Sequence, residues 1–119
     1  MFDFINLCHA FLPLHIDHVS YGGENLLIAG TKWRFSCRSA WRVSQENKLL
    51  FTCSDDDAED LLPGLHGLAI TGMKWLSDLQ KLDPSFLLSD GKRLDVFCSY
   101  CADPWILELP NGEVYVGNA

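Results

Sequence analysis

From Ile16 onward, apolar and polar side chains alternate in short runs, and each run stops at Gly, Asn, Asp or Pro. Trp33-Arg-Phe-Ser-Cys37 is the clearest case, and Trp41-Arg-Val43 and Leu94-Asp-Val-Phe97 repeat the pattern. A period of two places every second side chain on the same face, which is the signature of a half-buried strand. Further strands are predicted at Ile16 to Tyr21, Leu26 to Ile28, Leu49 to Cys53, Leu68 to Trp75, Phe86 to Leu88, Trp105 to Leu109 and Glu113 to Val116. Turns are expected at Gly22-Gly23, at Gly30, at Gln45 to Lys48, at Asp90-Gly91 and at Pro110-Asn-Gly112.

Helical spacing is confined to three short places. Phe4, Ile5, Cys8, Phe11 and Leu12 recur at the helical period and Pro13 ends the run, so residues 3 to 12 read as a short amphipathic helix with Asp3 as its cap. Its aromatic stripe is a core face or, less simply, a docking face. A helical turn capped by Ser54 or Asp55 is expected to run to Leu62, and one or two turns from Ser77 to Leu82.

The two halves echo one another. Leu12-Pro-Leu-His15 is matched by Leu62-Pro-Gly-Leu-His66, Leu26-Leu-Ile28 by Phe86-Leu-Leu88, and Ser36-Cys37 by Phe97-Cys98. At a single offset of 64, Trp41 meets Trp105, Asn47 meets Asn111, Leu50 meets Val114 and Phe51 meets Tyr115. The offset grows along the chain, which assigns two insertions to the second copy, near Ser77 to Leu82 and at Tyr100 to Pro104. One meander exposes an apolar face and needs another to cover it. The expected fold is therefore α+β and predominantly antiparallel β: two repeated β-meanders around one core, with a short N-terminal helix. All 119 residues form one domain on this reading, with pseudo-repeats at about 14–53 and 65–117. Whether the meanders stack face to face or join in one bent sheet stays open. Trp41 and Trp105 become equivalent core anchors.

Composition narrows the function. The formal charge is −7, with 16 acidic residues against 9 Lys and Arg. A nucleic-acid binder needs a basic footprint, and an anionic membrane surface attracts cations, so neither partner is expected. Asp3 is the first charged residue and Lys32 the first cation, which is unlike a secretory leader. No apolar run reaches the roughly 18 residues that span a bilayer. Five cysteines, an odd number, also fit a reducing cytosol.

Few residues carry chemistry. Cys98-Ser-Tyr-Cys101 is a CxxC, read as a redox pair, as half of a zinc site, or as two small core residues. No second CxxC or HxxxH completes a zinc set, and the flanks read as strand and turn rather than the helix N-terminus that activates such thiols. His15 and His18, three apart, would face opposite sides of a strand. Cys8-His9 could complete a zinc set only by a coincidence of folding, and His15 and His66, as repeat equivalents, read as structural. No G-x-S-x-G elbow is present. No catalytic residue, metal ligand or cofactor is expected, and the chain does not read as an enzyme.

The densest charge feature is Asp55, Asp56, Asp57, Glu59 and Asp60, five carboxylates in six residues. It is a solvated helix start, a partner-facing patch, or a cation site, although the D-x-D-x-D-G calcium pattern is missing. A cytosolic acidic protein can block a basic nucleic-acid enzyme by presenting carboxylates where phosphates bind.

Trp33-Arg-Phe35, Trp41-Arg-Val43, Ser89-Asp-Gly91, Leu94-Asp-Val-Phe97 and Trp105-Ile-Leu107 together resemble a loose group of small β-rich bacterial proteins. Members carry a hairpin with a DG turn and a strand with a central Trp, in one or two copies. Some are similar to the immunity proteins of polymorphic toxin and contact-dependent growth inhibition systems. The resemblance spans about residues 14–117 and implies a cytoplasmic protein that neutralises a cognate toxin domain. It carries no active-site motif. Asp55, Asp56, Asp57, Glu59 and Asp60 are the candidate partner-binding residues. The competing expectation is a small adaptor, or homodimeric interaction module, that pairs through an exposed strand edge.

Overall fold

Alternating side chains bury one face of each strand, and two such faces close on each other in the computed structural model, which describes residues 4–22, 25–76, 83–97 and 105–117. The described chain begins with helix α1 (Phe4–Cys8), whose last turn tightens into a 3-10 turn over His9–Phe11. Strands β1 (Leu14–His15), β2 (His18–Gly22), β3 (Asn25–Gly30), β4 (Trp33–Cys37), β5 (Ala40–Gln45) and β6 (Lys48–Thr52) follow. Helix α2 (Ala58–Leu61) and a 3-10 turn over Leu62–Leu65 separate them from β7 (Ala69–Trp75), β8 (Pro84–Leu88), β9 (Lys92–Phe97), β10 (Trp105–Glu108) and β11 (Val114–Val116). The fold is thus α+β and mainly antiparallel β.

One sheet has the order β1-β7-β8-β9-β5-β6 and the other β11-β10-β4-β3-β2, with every pairing antiparallel. The arrangement that the sequence left open is two sheets, and each draws strands from both halves of the chain. β2, β3 and β4 lie in one sheet, but the next hairpin, β5–β6, crosses to the other and pairs with β9. β7, β8 and β9 lie in that second sheet, and the next hairpin, β10–β11, crosses back to pair with β4. Trp41 and Trp105 stand at the start of the two crossing hairpins, and both are buried.

The core lies between the sheets. Phe35 of β4 meets Phe86 of β8 edge-on, with ring centroids 4.8 Å apart. Tyr21 of β2 meets Trp41 of β5 at 5.2 Å and 86°. Edge-to-face pairs of this kind add about 0.5–1.5 kcal/mol beyond their area. Ile5 and Cys8 of α1 join the same cluster and Phe11 and Leu12 pack against it, so these four residues form a core face.

Other expectations needed adjustment. The strand expected at Ile16 to Tyr21 is β2, which starts later, at His18, and the separate strand β1 before Ile16 joins the other, six-stranded sheet. His15 and His18 therefore lie on different strands. Gly30 is not the turn but the last residue of β3, paired with Trp33, and Thr31-Lys32 makes the turn. Gly30 is required for packing instead: a Cβ there would lie 2.0 Å from the His15 carbonyl oxygen and 2.3 Å from Trp33 Nε1. Trp33 Nε1 donates to that carbonyl at 3.0 Å, stitching β1 to the β3–β4 hairpin. The Ser77 to Leu82 helix, the Tyr100 to Pro104 loop and the Cys98/Cys101 motif lie outside the described residues.

Two hairpin turns place non-glycine residues in the left-handed region: Lys32 (φ 67°) in the β3–β4 turn, and both central residues of the β5–β6 turn. Gln45 pairs with Lys48, leaving a two-residue turn in which Glu46 (φ 53°) and Asn47 (φ 63°) are both left-handed. That turn matches the strand twist but disfavours a side chain such as Glu. Replacing Glu46 with Gly should stabilise the protein by about 1 kcal/mol, read as a higher urea midpoint at unchanged slope. In the β8–β9 turn, burial pushes the Asp90 carboxyl up, but hydrogen bonds from the Lys92 side chain and backbone N–H outweigh it and hold the carboxyl below its ordinary range. A depressed folded-state value contributes stability that is complete above the unfolded value and is lost as pH falls through the folded one. Asp90→Asn should therefore be less stable than the wild type at neutral pH, with the gap closing in acid, as urea midpoints measured across pH would show.

Candidate functional site

The acidic segment begins where β6 ends. The Thr52 N–H donates to Asp55 Oδ2 at 2.8 Å, and the Asp55 N–H returns to the Thr52 carbonyl at 3.2 Å. This closes a tight turn, so the Asp55 side chain is spent on the loop and does not cap the helix. Asp57 occupies the N-cap of α2 without a side-chain bond, which corrects the expected capping by Ser54 or Asp55. Ala58 and Leu62, four apart, turn inward and are buried. Asp55, Asp56, Asp57, Glu59 and Asp60 are consequently all exposed. No Lys, Arg or His among the described residues pairs with any of them.

Apolar surface adjoins them. Leu49 is 59 %, Leu50 42 % and Leu61 41 % exposed. β6 is the outer strand of its sheet, and its register slips opposite Val43 and Ser44. Phe51 pairs with Val43 but Leu49 with Ser44, so Leu50 is the extra residue of a bulge. The slip sends Phe51 to the core and Leu49 to the opposite, outer face. Strict alternation from Leu49 to Cys53 would have buried both.

A second cluster covers the outer face of the six-stranded sheet. Antiparallel register aligns Thr52, Arg42, Asp95, Ser85 and Lys74 in one row across five strands. Leu49, Ser44, Arg93, Leu87 and Gly72 form the next row. Directly opposed residues share a face. Asp95 is only 3 % exposed and Ser85 0 %. A carboxylate so placed must be satisfied, and it is. Arg42 Nε donates to Asp95 Oδ2 at 2.9 Å, Ser85 Oγ donates to Oδ1 at 2.6 Å, and Arg93 Nη1 donates to Ser85 Oγ at 3.2 Å. The Arg42 guanidinium also lies 5.0 Å from the Phe97 ring centre. Above the network opens a cleft of about 520 Å³, lined by Arg42, Lys74, Arg93, Asn47, Leu49 and Thr52 among others.

The sequence reading missed this cluster. Arg42 and Asp95 are far apart in sequence and alternate unremarkably in their own strands. Only the seam between β5 and β9 joins them. The one available signal was that Asp95 shares a strand with Leu94 and Val96, a charge amid apolar residues.

Ser85 is buried with its hydroxyl held by Asp95, so it is not presented as a nucleophile. His9 Nε2 donates to the Met73 carbonyl oxygen at 3.0 Å. Among the described residues no three His, Cys, Asp or Glu side chains converge as metal ligands, and no helix is long and apolar enough to cross a membrane.

Asp95→Asn should weaken the charged pairing with Arg42 and destabilise the fold by about 1.5–3 kcal/mol, measured by urea denaturation. The chain matches no protein-family model, no curated protein and no solved structure.

Proposed function

We propose that this protein is an immunity protein of the cytoplasm, binding a basic, nuclease-type bacterial toxin domain and blocking it sterically and electrostatically with no chemistry of its own. The observation that carries this reading is the exposed run Asp55, Asp56, Asp57, Glu59 and Asp60, unpaired with cations among the described residues and flanked by exposed Leu49, Leu50 and Leu61. Interfaces combine an apolar centre with a polar rim, and complementary charge speeds encounter and selects the partner. Ala58, Leu62 and Leu65 anchor the run to the core, so its carboxylates sit on a fixed support. A fixed surface lowers the ordering cost of binding.

A second reading has its own observation. β6 ends its sheet with two adjacent exposed leucines, an edge that a second copy or an adaptor partner can extend. The bulge at Leu50 interrupts that edge and weakens this alternative.

The decisive experiment expresses this protein with the C-terminal domain of the protein encoded immediately upstream and asks whether that domain is toxic without it. Rescue of cells and copurification are the expected outcome. A stable homodimer in light scattering, with neither rescue nor copurification, would shift the reading to the adaptor. For the interface, Asp56→Lys combined with Asp57→Lys and Asp60→Lys should slow association about tenfold or more at low salt and flatten its salt dependence. These three avoid Asp55, whose carboxylate holds the turn. Unchanged association kinetics would place the interface elsewhere.

A further inference from the structure

We infer that the cleft on the outer face of the six-stranded sheet is a binding site for a small phosphate- or carboxylate-bearing molecule, held by Arg42, Lys74 and Arg93. The cleft is locally cationic in an acidic chain. Among the described residues three cations line it against one carboxylate, Asp95, which lies beneath the surface and is hydrogen-bonded through both oxygens. Arg42 spends Nε on Asp95, and Arg93 spends one terminal nitrogen on Ser85. Among the described residues, the terminal nitrogens of Arg42 have no acceptor and the Lys74 ammonium has no carboxylate partner. The buried Ser85–Asp95 pair therefore works as an anchor. It orients two guanidinium forks and leaves donors for a planar or tetrahedral oxyanion.

The site's shape agrees with a small ligand. At about 520 Å³ the cleft falls in the range of small-molecule sites, roughly 300–1,000 Å³. Leu49 and Leu76 give it apolar wall, and Ser44, Asn47 and Thr52 give further hydrogen-bonding groups. A neighbouring hollow of about 400 Å³, reaching His9 and Leu12, also counts Lys74 and Arg93 in its lining, so these two cations border both spaces. A long polyanion is disfavoured. Thr52 lines the cleft and also holds Asp55, which sets the acidic run at its rim. A nucleic-acid backbone crossing the cleft would meet those carboxylates, whereas a compact oxyanion need not.

The test is a titration of the whole protein, followed by NMR at the Arg Nε–Hε and backbone resonances. Inorganic phosphate and citrate are added separately at constant ionic strength, with chloride as the reference. The expected result is a saturable shift centred on Arg42, Arg93 and Lys74. Saturation by phosphate alone, by citrate alone or by both supports the site and identifies its oxyanion. Lys74→Gln removes an exposed side chain that no described hydrogen bond engages, so it should fold normally and weaken binding roughly tenfold. Arg93→Gln should do the same while leaving the Arg42–Asp95 pair intact. Shifts that fail to saturate with either anion, or that chloride reproduces, overturn the proposal. So do unchanged affinities in both variants. None of these outcomes depends on a protein partner, so the cleft and the immunity reading stand or fall separately.

Discussion

The structure depends on an exchange of hairpins. β5–β6 leaves the sheet of β2, β3 and β4 for the other layer, and β10–β11 leaves the sheet of β7, β8 and β9 in return. Each sheet is therefore completed by strands from the other half of the chain. The seams are β4 against β10, with Trp105 opposite Cys37, and β5 against β9, with Trp41 opposite Val96. Neither half retains a closed layer without the other. Phe35 and Phe86, one from each half, meet across the middle of the core. The loops closed by these pairings are long, so they form late and couple the halves into one cooperative unit.

The same exchange creates both candidate surfaces. Arg42 belongs to a crossing hairpin, and Asp95 and Ser85 to the sheet that receives it. Without the crossing, Asp95 would have no cation from β5 and would be an unpaired charge on a packed sheet, which proteins rarely tolerate. The crossing also makes β6 an outer strand. Its bulge turns Leu49 outward to the cleft, and its last residue, Thr52, holds the acidic turn. Fold topology thus precedes both the cationic cleft and the acidic run, and sets them side by side.

Local structure was legible in the sequence because it depends on local rules. Trp33-Arg-Phe-Ser-Cys37 alternates and is a strand with those limits, and Asp90-Gly91 is a turn with Gly91 at φ 91°. Of the readings open for the acidic run, a solvated helix start agrees with its exposure, and the inward turn of Ala58 and Leu62 shows why it is exposed. What failed was non-local or depended on a single residue. Ile16 and Asp17 carry no mark that the chain changes sheets between β1 and β2. The bulge at Leu50 answers to the partner register and not to its own residue type. Gly30 resembles any turn glycine until the Trp33 indole is seen packed over it. The Arg42–Asp95–Ser85–Lys74 row is invisible in the chain because four strands of one sheet must be set in register before it exists.

Net charge and local charge act at different ranges, and this protein separates them. At physiological salt the Debye length is about 8 Å, so an approaching molecule first feels the nearest few groups rather than the sum of the chain. The formal charge of −7 does not describe the floor of the cleft, where among the described residues three cations surround one satisfied carboxylate. Conversely, Asp56, Asp57, Glu59 and Asp60 extend from an edge of the molecule and dominate the field seen by anything that approaches there. A basic protein meeting that edge gains from the carboxylates without reaching the cleft. A compact oxyanion that enters the cleft gains from oriented guanidinium groups at contact distance, where screening is weakest. The two candidate surfaces therefore present opposite charges, and Thr52, which borders both, marks the boundary between them.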